Sequence, residues 1–74
     1  MELCEVAFGE YESPDGKNQL SIKENGDQFS GFYEDENESL YHFEVDNNAE
    51  IKWDIKPAQY IGVIEEEILK HIKK

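Results

Sequence analysis

Apolar residues recur at every second position between Leu3 and Ile55, and beyond Lys56-Pro57 they recur at every third or fourth; this change of period limits the folds open to the chain. Strand side chains alternate between two faces, whereas helix side chains return to one face after three or four residues. The pattern therefore predicts a sheet followed by a single helix.

Within the first part, Glu24-Asn25-Gly26-Asp27 is the clearest local signal. Asn and Gly both accept positive φ, which a two-residue type I′ hairpin needs at its two central positions. With Asn25-Gly26 at the tip, Lys23 faces Gln28, Ile22 faces Phe29, Ser21 faces Ser30 and Leu20 faces Gly31. Leu20, Ile22, Phe29 and Tyr33 then share one face, and Gln19, Ser21, Lys23, Gln28 and Ser30 share the other. Upstream, 3–11 reads as one strand, with Cys4, Val6 and Phe8 opposite Leu3, Ala7 and Tyr11, ended by the turn Ser13-Pro14-Asp15-Gly16. Downstream, 39–45 alternates Tyr41, Phe43 and Val45 against Leu40, His42 and Glu44. After the loop Asp46-Asn47-Asn48-Ala49, 50–55 alternates Ile51, Trp53 and Ile55 against Glu50, Lys52 and Asp54. Five strands joined by short polar turns imply an antiparallel meander.

Pro57 suits the first turn of a helix. Ile61, Ile64, Ile68 and Ile72, with Leu69 beside them, then form an apolar stripe opposite Glu65, Glu66, Lys70 and Lys73 over about 57–73. Gly62 weakens the first turn of that helix. The expected fold is α+β: a five-stranded antiparallel meander within 3–55 with one C-terminal amphipathic helix packed on the sheet, a single domain over 1–74.

Composition narrows the function. A chain of 74 residues buries only ~60% of its unfolded surface, so dimerisation would help it, and a homodimer is expected. Cys4 is the only cysteine, so no internal disulfide can form, and no window has the 18 apolar residues of a membrane span. A cytoplasmic setting without membrane attachment follows as the expectation. His42, His71, Cys4 and scattered serines form no nucleophile-base spacing and there is no phosphate-binding glycine loop, so no enzyme and no cofactor is expected. Both histidines read as solvated and Cys4 as a small core residue. Glu34-Asp35-Glu36-Asn37-Glu38 offers hard oxygen ligands but lacks the spacing of a calcium loop, and no metal is expected.

The acid is segregated. Residues 1–50 hold fourteen carboxylates against Lys17 and Lys23, a charge of −12, while the rest carries +1, giving −11 overall without a single arginine. Such a surface repels nucleic acid, so direct nucleic-acid binding is not expected. It instead fits a partner with a positive surface, because a charge of this size costs stability through self-repulsion. Carboxylates two residues apart on a strand face stand ~6.7 Å apart, about two phosphate steps of ~3.4 Å along one DNA strand. The candidate phosphate-mimicking residues are Glu10, Glu12, Glu24, Asp27, Glu34, Asp35, Glu36, Glu38, Glu44, Asp46 and Glu50; Tyr11, Tyr33 and Tyr41 read as core or sheet surface, with a role as aromatic anchors the lesser alternative.

In size, in the acidic polarisation of residues 1–50, and in an α+β fold with turns such as Glu34-Asp35-Glu36-Asn37-Glu38, the chain resembles the small acidic DNA-mimic proteins of bacteriophages. Among these it looks most like the phage inhibitors of the histone-like nucleoid protein HU, whose members act as compact acidic dimers. The resemblance implies a protein that occupies the DNA-binding surface of a basic host protein, HU-type favoured, and displaces DNA. Two alternatives stand beside it. One is a phage inhibitor of another host nucleic-acid enzyme: RNA polymerase, a restriction or CRISPR nuclease, or uracil-DNA glycosylase. The other is an ordinary interaction subunit that uses the helix face around Ile61, Ile68 and Leu69.

Overall fold

The computed structural model describes residues 2–72. Six strands, β1 (Cys4–Ala7), β2 (Glu10–Glu12), β3 (Gln19–Asn25), β4 (Gln28–Glu34), β5 (Leu40–Val45) and β6 (Ile51–Trp53), precede one helix, α1 (Ile61–Ile72). The strands pair in chain order, each antiparallel to the next. The fold is α+β, and the expected five strands are six. The correction falls in 3–11, where Phe8-Gly9 turns the chain and splits one expected strand into the β1–β2 hairpin. Gly9 makes the turn possible. Its φ of 74° is open to glycine, and a Cβ there would stand 2.6 Å from the Ile22 carbonyl oxygen.

The central hairpin also differs from expectation in a way that preserves its faces. The tip is Gly26-Asp27, with Asn25 paired to Gln28, so that Leu20 meets Tyr33, Ile22 meets Gly31 and Lys23 meets Ser30. Gly26 has φ 66° and Asp27 does not join it at positive φ, the pattern of a type II′ turn rather than I′. Moving the tip by one residue shifts pairing by two, which leaves every side chain on its expected face.

Leu20, Tyr33, Phe43 and Val45 from that face, with Tyr11, meet Ile64 and Ile68 of α1 in a core that also buries Leu3. Ile22, Phe29, Tyr41, Ile51 and Trp53 pack around it. Gly31 gives Phe43 room: a Cβ at Gly31 would overlap the Ser21 carbonyl oxygen and stand 3.0 Å from the Phe43 ring. Ile55, expected to extend the last strand's apolar side, lies beyond β6 and is 72% exposed.

The helix starts later than 57. Pro57 is buried ahead of it, 58–60 form a bend, and Tyr60 has φ 60°, a left-handed conformation that a helix interior does not accept. Ile64 N donates to Tyr60 O at 2.9 Å and closes the first turn. Three polar contacts then fix the helix on the sheet. Trp53 Nε1 donates to Glu65 Oε2 at 2.9 Å, Leu3 N donates to the buried Glu67 Oε1 at 3.3 Å, and the His71 ring stacks on Tyr11 with centroids 3.9 Å apart. His71 Nε2 lies 3.1 Å from Leu3 O and 3.4 Å from Glu67 Oε2, so this histidine is a packed residue rather than a solvated one. Lys73 lies outside the described residues.

Candidate partner-binding surface

The eleven candidate acids do not form one track. Strand direction sends them to two ends of the sheet and to the face turned away from α1. At the end where β2 and β4 finish and β5 begins stand Glu12, Glu34, Asp35, Glu36 and Glu38. At the other end, where β3 turns into β4 and β5 into β6, stand Glu24, Asp27, Asp46 and Glu50. The ends are about 20 Å apart, since β4 advances ~3.4 Å per residue between them. Glu10 and Glu44 lie between the ends on the open face. Among the described residues Glu10 and Glu12 are the candidates that stand two apart on one strand, with their side chains on one face.

Two of the candidates are consumed by the fold. Asp35 Oδ1 accepts from Asn37 N at 2.9 Å and from Ser39 N at 3.0 Å, and its Oδ2 accepts from the Tyr41 hydroxyl at 3.3 Å. Asp46 Oδ1 accepts from Asn48 N and Glu50 N, both at 2.9 Å. The two loops are built alike: Glu38 N donates to Asp35 O and Ala49 N to Asp46 O at 3.0 Å, and Glu38 and Ala49 take φ of 65° and 64°. Each is a turn closed by one left-handed residue, with an aspartate side chain holding the amides two and four residues on. Donation from the Glu50 and Asn48 amides holds the Asp46 carboxyl below the usual carboxylate range. Asp15 in the 13–18 turn is also lowered, first by the Ser13 hydroxyl at 2.6 Å and then by the Lys17 amide at 3.0 Å. These aspartates brace their turns and keep their negative charge.

The other nine are displayed. Glu10, Glu24, Asp27, Glu36, Glu38, Glu44 and Glu50 are exposed, and Glu12 and Glu34 half-buried. The ion pairs seen among the described residues are His42 Nδ1 with Asp54 Oδ2 at 3.0 Å and His71 with Glu67, and neither uses a lysine. Lysine does approach in register, because Lys52 stands beside Glu44 on β6 and Lys23 lies two strands away in the same row. That row is mixed in sign, and the acidic part of the open face is the half nearer Glu12 and Glu34.

The tyrosines take the core reading rather than the anchor one. Tyr11 and Tyr33 are core residues, 4% and 2% exposed, and Tyr41 is half-buried. The Tyr33 hydroxyl donates to Asn18 Oδ1 at 2.7 Å, and burial, reinforced by the nearby Asp35 charge, pushes its pKa up to about 12. The displayed aromatics are Phe8, Tyr60 and Phe32. Tyr60 borders a depression of about 650 Å³ at the Asp35 end, between the 13–18 turn, the 35–37 turn and 57–60. Cys4, expected in the core, is exposed, and His42 stands edge-on to Phe32 while paired to Asp54.

The helix face named for an adaptor is occupied. Ile64 and Ile68 are fully buried against the sheet, and Ile61 and Leu69 are half-buried. Exposed apolar side chains lie on the opposite side of the sheet, at Val6, Phe32 and Leu40. The alternation announced these residues, but periodicity alone does not tell a half-buried second face from solvent. Among the described residues no three of His, Cys, Asp or Glu gather to hold a metal ion, and no helix is long and apolar enough to cross a membrane. Compared with known proteins, the chain matches no protein-family model, no curated protein and no solved structure.

Proposed function

We propose that the protein is an acidic decoy for DNA, which occupies the DNA-binding surface of a basic protein in the bacterial cytoplasm and blocks DNA by competition. An HU-type nucleoid protein is the favoured target. The supporting observation is that, among the described residues, none of the nine displayed candidate acids forms an ion pair with a lysine. Nine candidate acids, seven exposed and two half-buried, stand on a body 32 Å long, a length over which duplex at one charge per ~1.7 Å carries roughly 19 phosphates. The field of such a body steers it toward a basic groove, and contact with the groove excludes the duplex. Small size and the exposed sides of edge strands β1 and β6 favour two copies acting together along a sheet edge.

The test is displacement of a labelled duplex from an HU-type protein, followed by fluorescence anisotropy. Displacement should occur at low salt and weaken steeply between about 50 and 200 mM salt. Glu36→Lys with Glu38→Lys should weaken it without altering the fold, whereas Asp35 must be kept because its carboxylate holds the turn. No displacement at low salt, or displacement indifferent to salt, would remove HU as target; the same assay with RNA polymerase, a restriction or CRISPR nuclease, or uracil-DNA glycosylase then decides whether any basic target is engaged.

A further inference from the structure

Among the described residues no element covers the sheet face turned away from α1, and that face is not uniformly polar. Val6, Phe32 and Leu40 are 60%, 48% and 63% exposed there. Strand register explains their arrangement. One row runs Glu12, Gln19, Glu34, Leu40 across β2 to β5, and the next runs Glu10, Ser21, Phe32, His42. Ser21 is the small residue between two large ones, so the surface dips on β3 at Ser21, beside the longer Gln19. Val6 walls the dip on the β1 side, and Phe32 and Leu40 wall it on the β4–β5 side. The groove encloses about 260 Å³, and Glu10, Glu12 and Glu34 stand around it. The lysines of this face, Lys23 and Lys52, are one row further on, beyond the groove.

Charge and apolarity together restrict the occupant. Phosphate mimicry needs carboxylates alone, and apolar walls gain nothing unless apolar atoms leave water against them. A second copy meeting this face across a two-fold axis would bring the same three glutamates against themselves, a like-charge contact that costs association. A cationic partner with an apolar side chain satisfies both features. Glu12 and Glu34 are two strands apart, ~9.6 Å, with Gln19 between them donating its Nε2 to Glu12 Oε1 at 3.2 Å, so the two carboxylates flank one end of the dip.

We propose that the groove along β3 is an anchor site for a cationic protein segment, which seats one apolar side chain against Val6, Phe32 and Leu40 and sets lysine or arginine against Glu10, Glu12 and Glu34. This deepens the decoy reading by naming where the basic partner is gripped, and it needs from that reading only that the partner be basic. Charge brings the segment in and the apolar contact holds it, the usual division between rate and residence.

The test uses two blocked pentapeptides, Lys-Lys-Leu-Lys-Lys and Lys-Lys-Ser-Lys-Lys, titrated into the wild-type protein and followed by two-dimensional amide NMR. The leucine peptide should bind roughly fivefold tighter or more, with its largest shifts at Val6, Ser21, Phe32 and Leu40. Phe32→Ser with Leu40→Ser should bring the two peptides to equal affinity, and Glu10→Gln, Glu12→Gln and Glu34→Gln together should weaken both. Trp53 fluorescence, on the helix side, confirms that each variant is folded. Equal binding of the two peptides to the wild type, or shifts centred on 35–38 or 57–60, would overturn the proposal. So would a self-association that Phe32→Ser and Leu40→Ser abolish, since a second copy would then own the face. Peptide discrimination without duplex displacement would leave the groove standing and sink only the decoy reading.

Discussion

Single residues decide where this sheet tolerates change. Gly31 sits mid-strand with the Ser21 carbonyl and the Phe43 ring filling the space where a side chain would start. Gly31→Ala should therefore cost about 3 kcal/mol, at the high end of overpacking because backbone must move, and urea unfolding at unchanged slope measures it. Tyr33 gives a second readout. Its pKa is raised to about 12 from 10, so the neutral form is the one the fold favours. The unfolded chain ionises first on going alkaline; the contribution is whole below pH ~10 and is lost as pH rises toward about 12. Absorbance at alkaline pH should show Tyr33 ionising together with loss of the Trp53 signal. Ionisation of Tyr33 near pH ~10 with the Trp53 signal intact would show that Tyr33 is not held by its buried site.

Elements show why turns outrank strands in setting the architecture. Each five-residue loop flanking β5 uses an aspartate as acceptor and a non-glycine residue in the left-handed region. Ala49→Gly should stabilise the protein by about 0.5–1 kcal/mol, because relief of the left-handed strain exceeds glycine's added unfolded-state entropy. At the brace itself, thermal midpoints should rank wild type above Asp46→Asn above Asp46→Ala, since asparagine keeps an acceptor oxygen and alanine has none. Midpoints for Asp46→Ala equal to wild type would show that the brace is idle.

Much of this was legible beforehand. The faces of β3, β4 and β5, the helix stripe of Ile64, Ile68 and Ile72, and the 13–16 and 46–49 turns follow from period and turn chemistry. The β1–β2 hairpin was not, because Phe8-Gly9 interrupts a run whose alternation continues across it, and glycine's sign of φ is not written in the chain. The helix start was hidden likewise, by a left-handed Tyr60 that no propensity favours. At the candidate site, residue type reported carboxylates without reporting their work: Asp35 and Asp46 look the same as Glu36 and Glu50 until backbone amides are placed around them.

For the whole molecule, self-repulsion and the turn braces respond to solution conditions with opposite tendencies. Raising NaCl from about 20 mM to 1 M shortens the screening length from tens of ångströms to ~3 Å, so the thermal midpoint of this −11 chain should climb with salt. A midpoint that falls, or stays flat, would mean the acids do not repel one another across the slab. Acidification relieves the same repulsion, but Asp15 and Asp46 have pKa values lowered below the usual carboxylate value. Their contribution is present above the unfolded pKa of about 3.9 and is lost as pH falls through the folded value. Stability should thus survive mild acid and decline only below about pH 4, traced by circular dichroism along a pH series at fixed salt.

The order in which the core is covered has a consequence for the chain during its synthesis. Strands pair strictly with their predecessors, so the sheet can assemble as it emerges, yet Ile64 and Ile68, which cover Phe43 and Leu20, come last. At ~5–20 residues per second, the stretch from β6 to the end of α1 takes about 1–4 s to follow. For that interval the nascent sheet shows its greasy side to the ribosome's surroundings, and a chaperone that dwells there for seconds would meet this protein before its own helix does.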